Sequence, residues 1–408
     1  MKKIVILGAG IAGLAAAWYV QKKTQGQVDL MLIEKSDRIG GWIQTLHEQG
    51  FLFEEGPRGF RPSGKGKATL ELVKELGLEK ELVSSNLHAR KRYLYLDGKL
   101  QTFNMWFLLK QGLLGAAFHD WFTPPSAAED ESIASFVERR FNQRLSENLM
   151  DPLIKGIFGG DCRKLSIRSC LPFLWNFEKK EGSVVRGLLH RKKKDKPPAS
   201  LYTFKGGMET LPLTLAQQLN GSLILSKTVT DLKDLEADYV ISTLPASELA
   251  KLLGYEDPIE EYATLSTIHC GWNKRVLKKR GYGFLIPSKE ESDILGMTWD
   301  SEIFPELNQN YQTRLCIMVG GGHTHDDLRS LALNSLQYYL GIVQPPDVCI
   351  PFVAKNAIPQ YTLNYFRRLA AFKKKMPSNL YALGQSFEGV GINECIFNAK
   401  VLIENLSI

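Results

Sequence analysis

Three glycines, Gly8, Gly10 and Gly13, stand between an apolar run, Ile4-Val5-Ile6-Leu7, and a helix-forming stretch at residues 14–20. Each has its own task. Gly8 allows a tight turn after the strand, Gly10 lets the backbone approach a pyrophosphate, and Gly13 lets the helix pack closely on the sheet. Ala9, Ile11 and Ala12 complete the loop. The helix N-terminus offers free N–H groups and partial positive charge, both suited to phosphate. A second apolar run, Leu30-Met31-Leu32-Ile33, ends at Glu34. A carboxylate there accepts hydrogen bonds from ribose hydroxyls and repels a 2′-phosphate. The pattern predicts a βαβ unit that binds an adenine dinucleotide, and redox chemistry is the first expectation.

Arg38-Ile39-Gly40-Gly41-Trp42 follows closely. Acid, then arginine, then paired glycines resembles the extended signature of FAD enzymes related to amine oxidases and glutathione reductase. In those enzymes the arginine and glycines sit by the flavin pyrophosphate and ribityl chain. The alternative is an ordinary glycine turn on an NAD dehydrogenase. Near the C-terminus, Glu388-Gly389-Val390-Gly391-Ile392-Asn393-Glu394 puts glycines before a final helix, a second anion-friendly place for a flavin ring or ribityl chain.

These groups need a scaffold, and 408 residues suffice for two or three domains with a sizeable core. The formal net charge is +7, and part of it is concentrated. Lys179, Lys180, Arg186, Arg191, Lys192, Lys193, Lys194 and Lys196 face only Glu178, Glu181 and Asp195. With no nucleic-acid motif beside it, this run suits an anionic membrane surface or a solvated loop. Cys162, Cys170, Cys270, Cys316, Cys349 and Cys395 are scattered without a CxxC pair, and the histidines form no ligand motif. Metal binding and a disulfide framework are therefore not expected, and free buried thiols in a reducing compartment are. The first strand begins at Ile4, so no signal or transit peptide is expected, and no apolar run is long enough to span a bilayer.

Along the chain, residues 53–64 read as a Gly/Pro/Arg-rich loop and residues 67–82 as a helix. Residues 92–100 read as a hairpin with an Asp97-Gly98 turn. Residues 102–124 read as one helix with a wide apolar side, Lys110 and Asp120 its only formal charges, and Trp106 and Trp121 toward its ends. Such a helix either docks on a membrane interface or lies in a core. Helices continue to residue 157, residues 192–198 form a charged break, and a helix opens after Gly206-Gly207. Short strands are expected at 222–225 and 229–232, then a buried strand ending at Thr243-Leu244-Pro245. Residues 281–299 and 314–322 are the clearest strand-and-turn stretches of the region beyond, and 379–384 is a strand.

Taken together, the chain resembles the oxygen-dependent, FAD-containing protoporphyrinogen oxidases over nearly its whole length. The resemblance lies in Gly40-Gly41-Trp42, the loop from Glu55 to Pro62, Lys91-Arg92-Tyr93-Leu94-Tyr95 and Gly156-Ile157-Phe158-Gly159-Gly160. It continues through Leu165-Ser166-Ile167-Arg168-Ser169-Cys170, Ile358-Pro359-Gln360-Tyr361-Thr362-Leu363 and residues 381–395. It implies an α/β fold: a Rossmann-like FAD-binding domain (1–85, 200–245, 353–408), a mixed α+β substrate domain (246–352) and an inserted helical, membrane-contacting domain (86–199). Its middle region is shorter than the family's. The resemblance also implies a six-electron oxidation in which substrate bridge carbons give hydride to flavin N5, three times over, with oxygen as acceptor and hydrogen peroxide as product. The flavin carries that chemistry, so no general base is named.

On the same resemblance the FAD set comprises Gly8, Ala9, Gly10, Ile11, Ala12, Gly13, Glu34, Lys35, Arg38, Gly41, Trp42, Gly56, Pro57, Arg58, Gly59, Val229, Val353, Gly389, Val390, Gly391 and Ile392. Arg92 matches the arginine that takes a substrate carboxylate, which a guanidinium holds by two parallel hydrogen bonds. Gly296, Thr298 and Met318 match positions lining the ring pocket, although Met318 by itself reads as core. Arg58 is expected next to the flavin, with loop ordering as its alternative, and Arg168 is expected to order the start of a helix. Implied partners are a tetrapyrrole, molecular oxygen and the cytoplasmic side of a membrane, held peripherally. Nucleic acid is not among them, and a homodimer and a ferrochelatase contact are open alternatives. Coproporphyrinogen is the rival substrate, and one substrate arginine favours two propionates over four. A flavin-binding partner without turnover is the rival of another class.

Overall fold

The computed structural model describes every residue except 192–198, 256–258, 310 and 322. Lys192, Lys193, Lys194 and Lys196 of the basic run, the break they belong to, and Gly322 thus lie outside the described residues. The chain divides into two compact units: Met1–Ser85, Ala199–Glu260 and Arg368–Ile408 form one, and Asn86–Pro198 and Glu261–Arg367 form the other.

The first unit is built on a parallel sheet of five strands, in the order Leu380–Ala382, Tyr239–Ser242, Lys3–Leu7, Asp29–Ile33, Ser222–Ile224. Ile4, Val5, Ile6 and Leu7 are all buried, as a strand covered on both faces requires. The helix Ile11–Thr24 buries Ala15, Ala16 and Ala17, small residues that let it approach its neighbours closely. It packs against the C-terminal helix Ile392–Asn405 and the helix Thr210–Gln217, sharing one core with the sheet. The strand Ser222–Ile224 forms as expected, but residues 229–232 do not. That stretch leads irregularly into the 3-10 turn Leu232–Leu235, because Asp231 caps the turn by accepting from the Lys233 N–H. The expected helix at 67–82 is shorter, Gly66–Glu75.

The second unit is built on a sheet of seven strands, in the order Val348–Gln360, Glu261–Trp272, Thr313–Gly320, Ile294–Thr298, Gly283–Leu285, Tyr93–Leu96, Lys99–Thr102. All neighbours run antiparallel except Gly283–Leu285 with Tyr93–Leu96. The hairpin turn has positive φ at both Asp97 and Gly98, the backbone an Asp-Gly turn supplies. One sheet face packs Phe284, Met297, Trp299, Leu315 and Ile317 under Leu328, Ala332 and Leu336 of the helix His325–Leu340. The other face carries Leu94, Leu96 and Leu285 against Phe107 and Leu108.

Two expectations change here. The segment from 86 is not separate from the strand-rich region but folds with it. It donates two strands to the sheet, a Cβ on Gly156 would come within 2.9 Å of Leu285 Cδ2, and Gln360 Nε2 donates to the Phe158 carbonyl at 2.8 Å. The cuts expected at 246 and 353 fall instead after 260 and 367, since the long strand Val348–Gln360 pairs along Glu261–Trp272. Second, residues 102–124 form two helices, Met105–Lys110 and Leu113–Phe122, broken at Gly112, whose φ is 81°. Among the described residues no helix is long and apolar enough to cross a membrane.

Candidate functional site

In the first unit the two glycine turns meet. The Gly40 N–H donates to the Ala9 carbonyl at 2.8 Å, and Gly10 forms a bridge with Gly40. A Cβ on Gly41, whose φ is 60°, would come within 3.2 Å of Gly10 Cα, and one on Gly13 would run into the Gly8 carbonyl oxygen. The backbone thus leaves a surface that only glycine can line, the shape a pyrophosphate needs. Glu34 stands at its edge. Its Oε2 accepts from the Ala9 N–H at 2.7 Å and its Oε1 from the Ser36 N–H and hydroxyl at 2.9 Å. Arg38 donates to the carbonyls of Ile39 and Gly41, bracing the second turn, and lies 3.9 Å from Glu209. Ile11 and Ala12 are buried at the helix start, Gly41 and Trp42 are exposed, and Lys35 points to solvent.

The loop Gly56-Pro57-Arg58-Gly59 is half-buried in the same unit. A Cβ on Gly56 would collide with the Trp42 carbonyl, which explains why this loop follows that turn so closely. Beside it, burial pushes the Glu55 carboxyl above its ordinary value. Arg38 opposes the shift and Glu209 adds to it. Glu55 Oε2 is buried without a hydrogen-bond partner in the protein. At the C-terminal turn, Gly389 (φ 118°) and Gly391 lie against the Glu394 side chain, Gln385 Nε2 donates to the Val390 carbonyl at 3.2 Å, and Ile392 is buried. Val229 is half-buried, next to the edge strand Ser222–Ile224 in sequence. The glycine-lined surface and the unmatched Glu55 oxygen both suit a bound flavin dinucleotide.

Val353 lies on the second unit's sheet, opposite Ser266, packed against the core under the helix His325–Leu340.

In the second unit, register brings the expected substrate residues together. Leu94, Leu285, Gly296 and Met318 stand in one row across four strands, and Gly283, Thr298 and Cys316 in the next. Arg92 immediately precedes its strand, and its guanidinium lies over the Tyr282 ring at 5.0 Å. Thr298 is buried and its hydroxyl donates to Asp300 at 2.8 Å. Gly296 has a structural reason to be glycine: a Cβ would strike the Phe284 carbonyl of the next strand. Other cations lie near the start of the strand Tyr93–Leu96, beside Tyr93, whose ring belongs to the core under the helix His325–Leu340. Lys91 lies over the Tyr93 ring at 5.2 Å and Lys279 at 5.9 Å, and Arg280 is 3.1 Å from His88. Arg168 stacks on Phe366 at 3.5 Å and donates to the Glu129 carbonyl, an ordering role.

Several residues escaped sequence reasoning. Thr243 braces the first turn, its N–H and hydroxyl both donating to the Leu7 carbonyl at 2.8 Å. Thr45, Glu54 and Glu209 tie the hairpin Thr45–Glu48/Phe51–Glu54 to the helix after Gly207: Thr45 donates to Glu54, and Met208 and Glu209 donate back. Only the lone glycine pair at 206–207 hinted at this junction. Among the described residues no cluster of His, Cys, Asp and Glu suits a metal ion.

Comparison with known proteins follows this geometry. Residues 11–396 match the family described as flavin containing amine oxidoreductase. The protoporphyrinogen oxidase of Bos taurus is 33% identical, over 98% of this chain and 97% of the relative. The coproporphyrinogen III oxidase of Bacillus subtilis is 28% identical, over 99% and 97%. A solved structure from Exiguobacterium, provisionally described as a protoporphyrinogen oxidase, superposes with a TM-score of 0.83 at 22% identity, covering 99% of this chain and 98% of that one.

Proposed function

The chain belongs to the flavin containing amine oxidoreductases, and from that premise we propose that it is an FAD-dependent oxidase converting protoporphyrinogen IX to protoporphyrin IX with molecular oxygen, releasing hydrogen peroxide. The observation that carries this reading is a complete dinucleotide cradle in a chain similar over its full length to proteins named protoporphyrinogen oxidase.

A bound FAD would supply the hydride acceptor and the route for electrons to oxygen. The protein's residues bind and orient. Gly10 and Gly41 would leave room for the pyrophosphate at the helix start, and Gly13 lets that helix pack closely on the Gly8 turn. Glu34 holds the Ala9 N–H in the protein alone and takes ribose hydroxyls when the dinucleotide is present. The Gly56–Gly59 loop and the Gly389–Ile392 turn line the flavin. Arg92 holds a substrate carboxylate, with Gly296, Thr298 and Met318 against the ring. No side chain need act as base.

A second reading, coproporphyrinogen, which carries more carboxylates, is supported by the similarity to the coproporphyrinogen III oxidase of Bacillus subtilis. The kcat/KM ratio for the two porphyrinogens, read by porphyrin fluorescence, separates the readings. A protein that binds flavin but turns over neither would leave only the binding role.

The helices Met105–Lys110 and Leu113–Phe122 expose Trp106 (74%), Leu114 (73%), Phe118 (70%) and Phe122 (67%). So contiguous an apolar display supports peripheral docking on a membrane, with Arg186 stacked on Trp121 at 4.7 Å beside it.

A further inference from the structure

Cys270 and Cys349 occupy directly opposite positions on the paired strands Glu261–Trp272 and Val348–Gln360. Opposite residues of an antiparallel pair have Cα atoms roughly 4.5 or 5.5 Å apart. Both spacings lie within the roughly 4.4–6.8 Å that a disulfide spans. The two side chains share the face that packs toward the helix His325–Leu340. Their register and shared face set the two sulfurs side by side. Cys316, on the other neighbouring strand, stands opposite His269 and so on the opposite face.

We propose that Cys270 and Cys349 are a reversible thiol–disulfide pair, closed by peroxide. Cys349 is half-buried and Cys270 fully buried, which sets the order of events. The neighbouring Cys270 side chain holds the Cys349 thiol below its ordinary value against burial, with Arg329 helping. The Cys349 side chain and burial hold Cys270 well above its own. Cys349 thiolate therefore attacks the peroxide O–O bond, forming S–OH and releasing hydroxide. Cys270 sulfur then displaces that hydroxide and gives up its proton. Two thiols and one peroxide become one disulfide and two waters. The source of peroxide rests on the proposed oxidase activity; the pair itself does not.

The test treats flavin-loaded protein with added hydrogen peroxide, alkylates the remaining thiols in denaturant, and analyses the peptides by mass. Expected is a linked Cys270–Cys349 peptide pair, two hydrogens lighter, that separates on dithiothreitol, with loss of most free Cys349. In Cys270→Ser the expected product is a Cys349 sulfenic acid trapped by dimedone. Both thiols remaining alkylatable after peroxide, or Cys349 passing to sulfonic acid without linkage, overturns the proposal. Porphyrin formation is measured separately, so failure of the oxidase reading is distinguished from failure of the pair.

Discussion

Glu34 and Arg92 are the charged residues proposed to meet a ligand's polar groups, one in each unit. Glu34 keeps the glycine loop shaped through the Ala9 N–H. Glu34→Ala should lower flavin content markedly, read by absorbance of the purified protein, and unchanged content would remove it from the cofactor site. Arg92 is held over Tyr282, half-exposed, with no part in the core. Arg92→Ala should keep flavin content and raise KM roughly tenfold or more, the worth of hydrogen bonds to a charged group. A KM equal to wild type would show that another cation takes the carboxylate. Both proposals rest on local signals: a carboxylate at a strand end and an arginine opening a hairpin. Thr45, Glu54 and Glu209 were not legible, because their contacts join residues more than 150 positions apart and no spacing rule links them. Met318 reads as core until register places it opposite Gly296.

The apolar helix expected at 102–124 shows what periodicity misses. Gly112 adopts a left-handed backbone, so the run becomes two helices, and Asp120, one of the run's two formal charges, is buried. Arg140 Nε donates to Asp120 at 2.6 Å and its Nη1 lies 3.3 Å from Glu178, while Ser183 donates to Asp120 Oδ2 at 2.5 Å. This buried charge cluster fixes the helix Leu113–Phe122 so that its aromatic side faces outward. Arg140→Leu leaves Asp120 uncompensated and should destabilise by about 3–5 kcal/mol, measured by denaturant unfolding. A loss below about 1 kcal/mol would mean the cluster relaxes and does not hold the helix. Replacing Trp106 and Phe118 together with serine should abolish sedimentation with anionic vesicles while retaining activity in detergent. Undiminished sedimentation would move the docking surface elsewhere. The hairpin at 92–100 was legible because Asp-Gly dictates its own turn; its place at the edge of a seven-stranded sheet was not. Joining Tyr93–Leu96 to Gly283–Leu285 spans nearly 190 residues, and the parallel pairing carries no sequence mark.

At the scale of the molecule, each unit is assembled from segments far apart in the chain. The parallel sheet was readable at its first two strands, where apolar runs and glycines sit side by side. The edges of the units were not, since the strand Val348–Gln360 runs continuously through the expected boundary at 353. That strand sets Val353 on the core of the second unit. The central claim is that the cradle in the first unit holds a flavin that oxidises a porphyrinogen. The most direct measurement mixes the purified, flavin-loaded protein anaerobically with protoporphyrinogen IX and follows flavin absorbance, then admits oxygen and follows porphyrin fluorescence and peroxide. The account predicts bleaching of the yellow colour, its return with oxygen, and red fluorescence growing with peroxide. A flavin that stays oxidised in the presence of either porphyrinogen would contradict it.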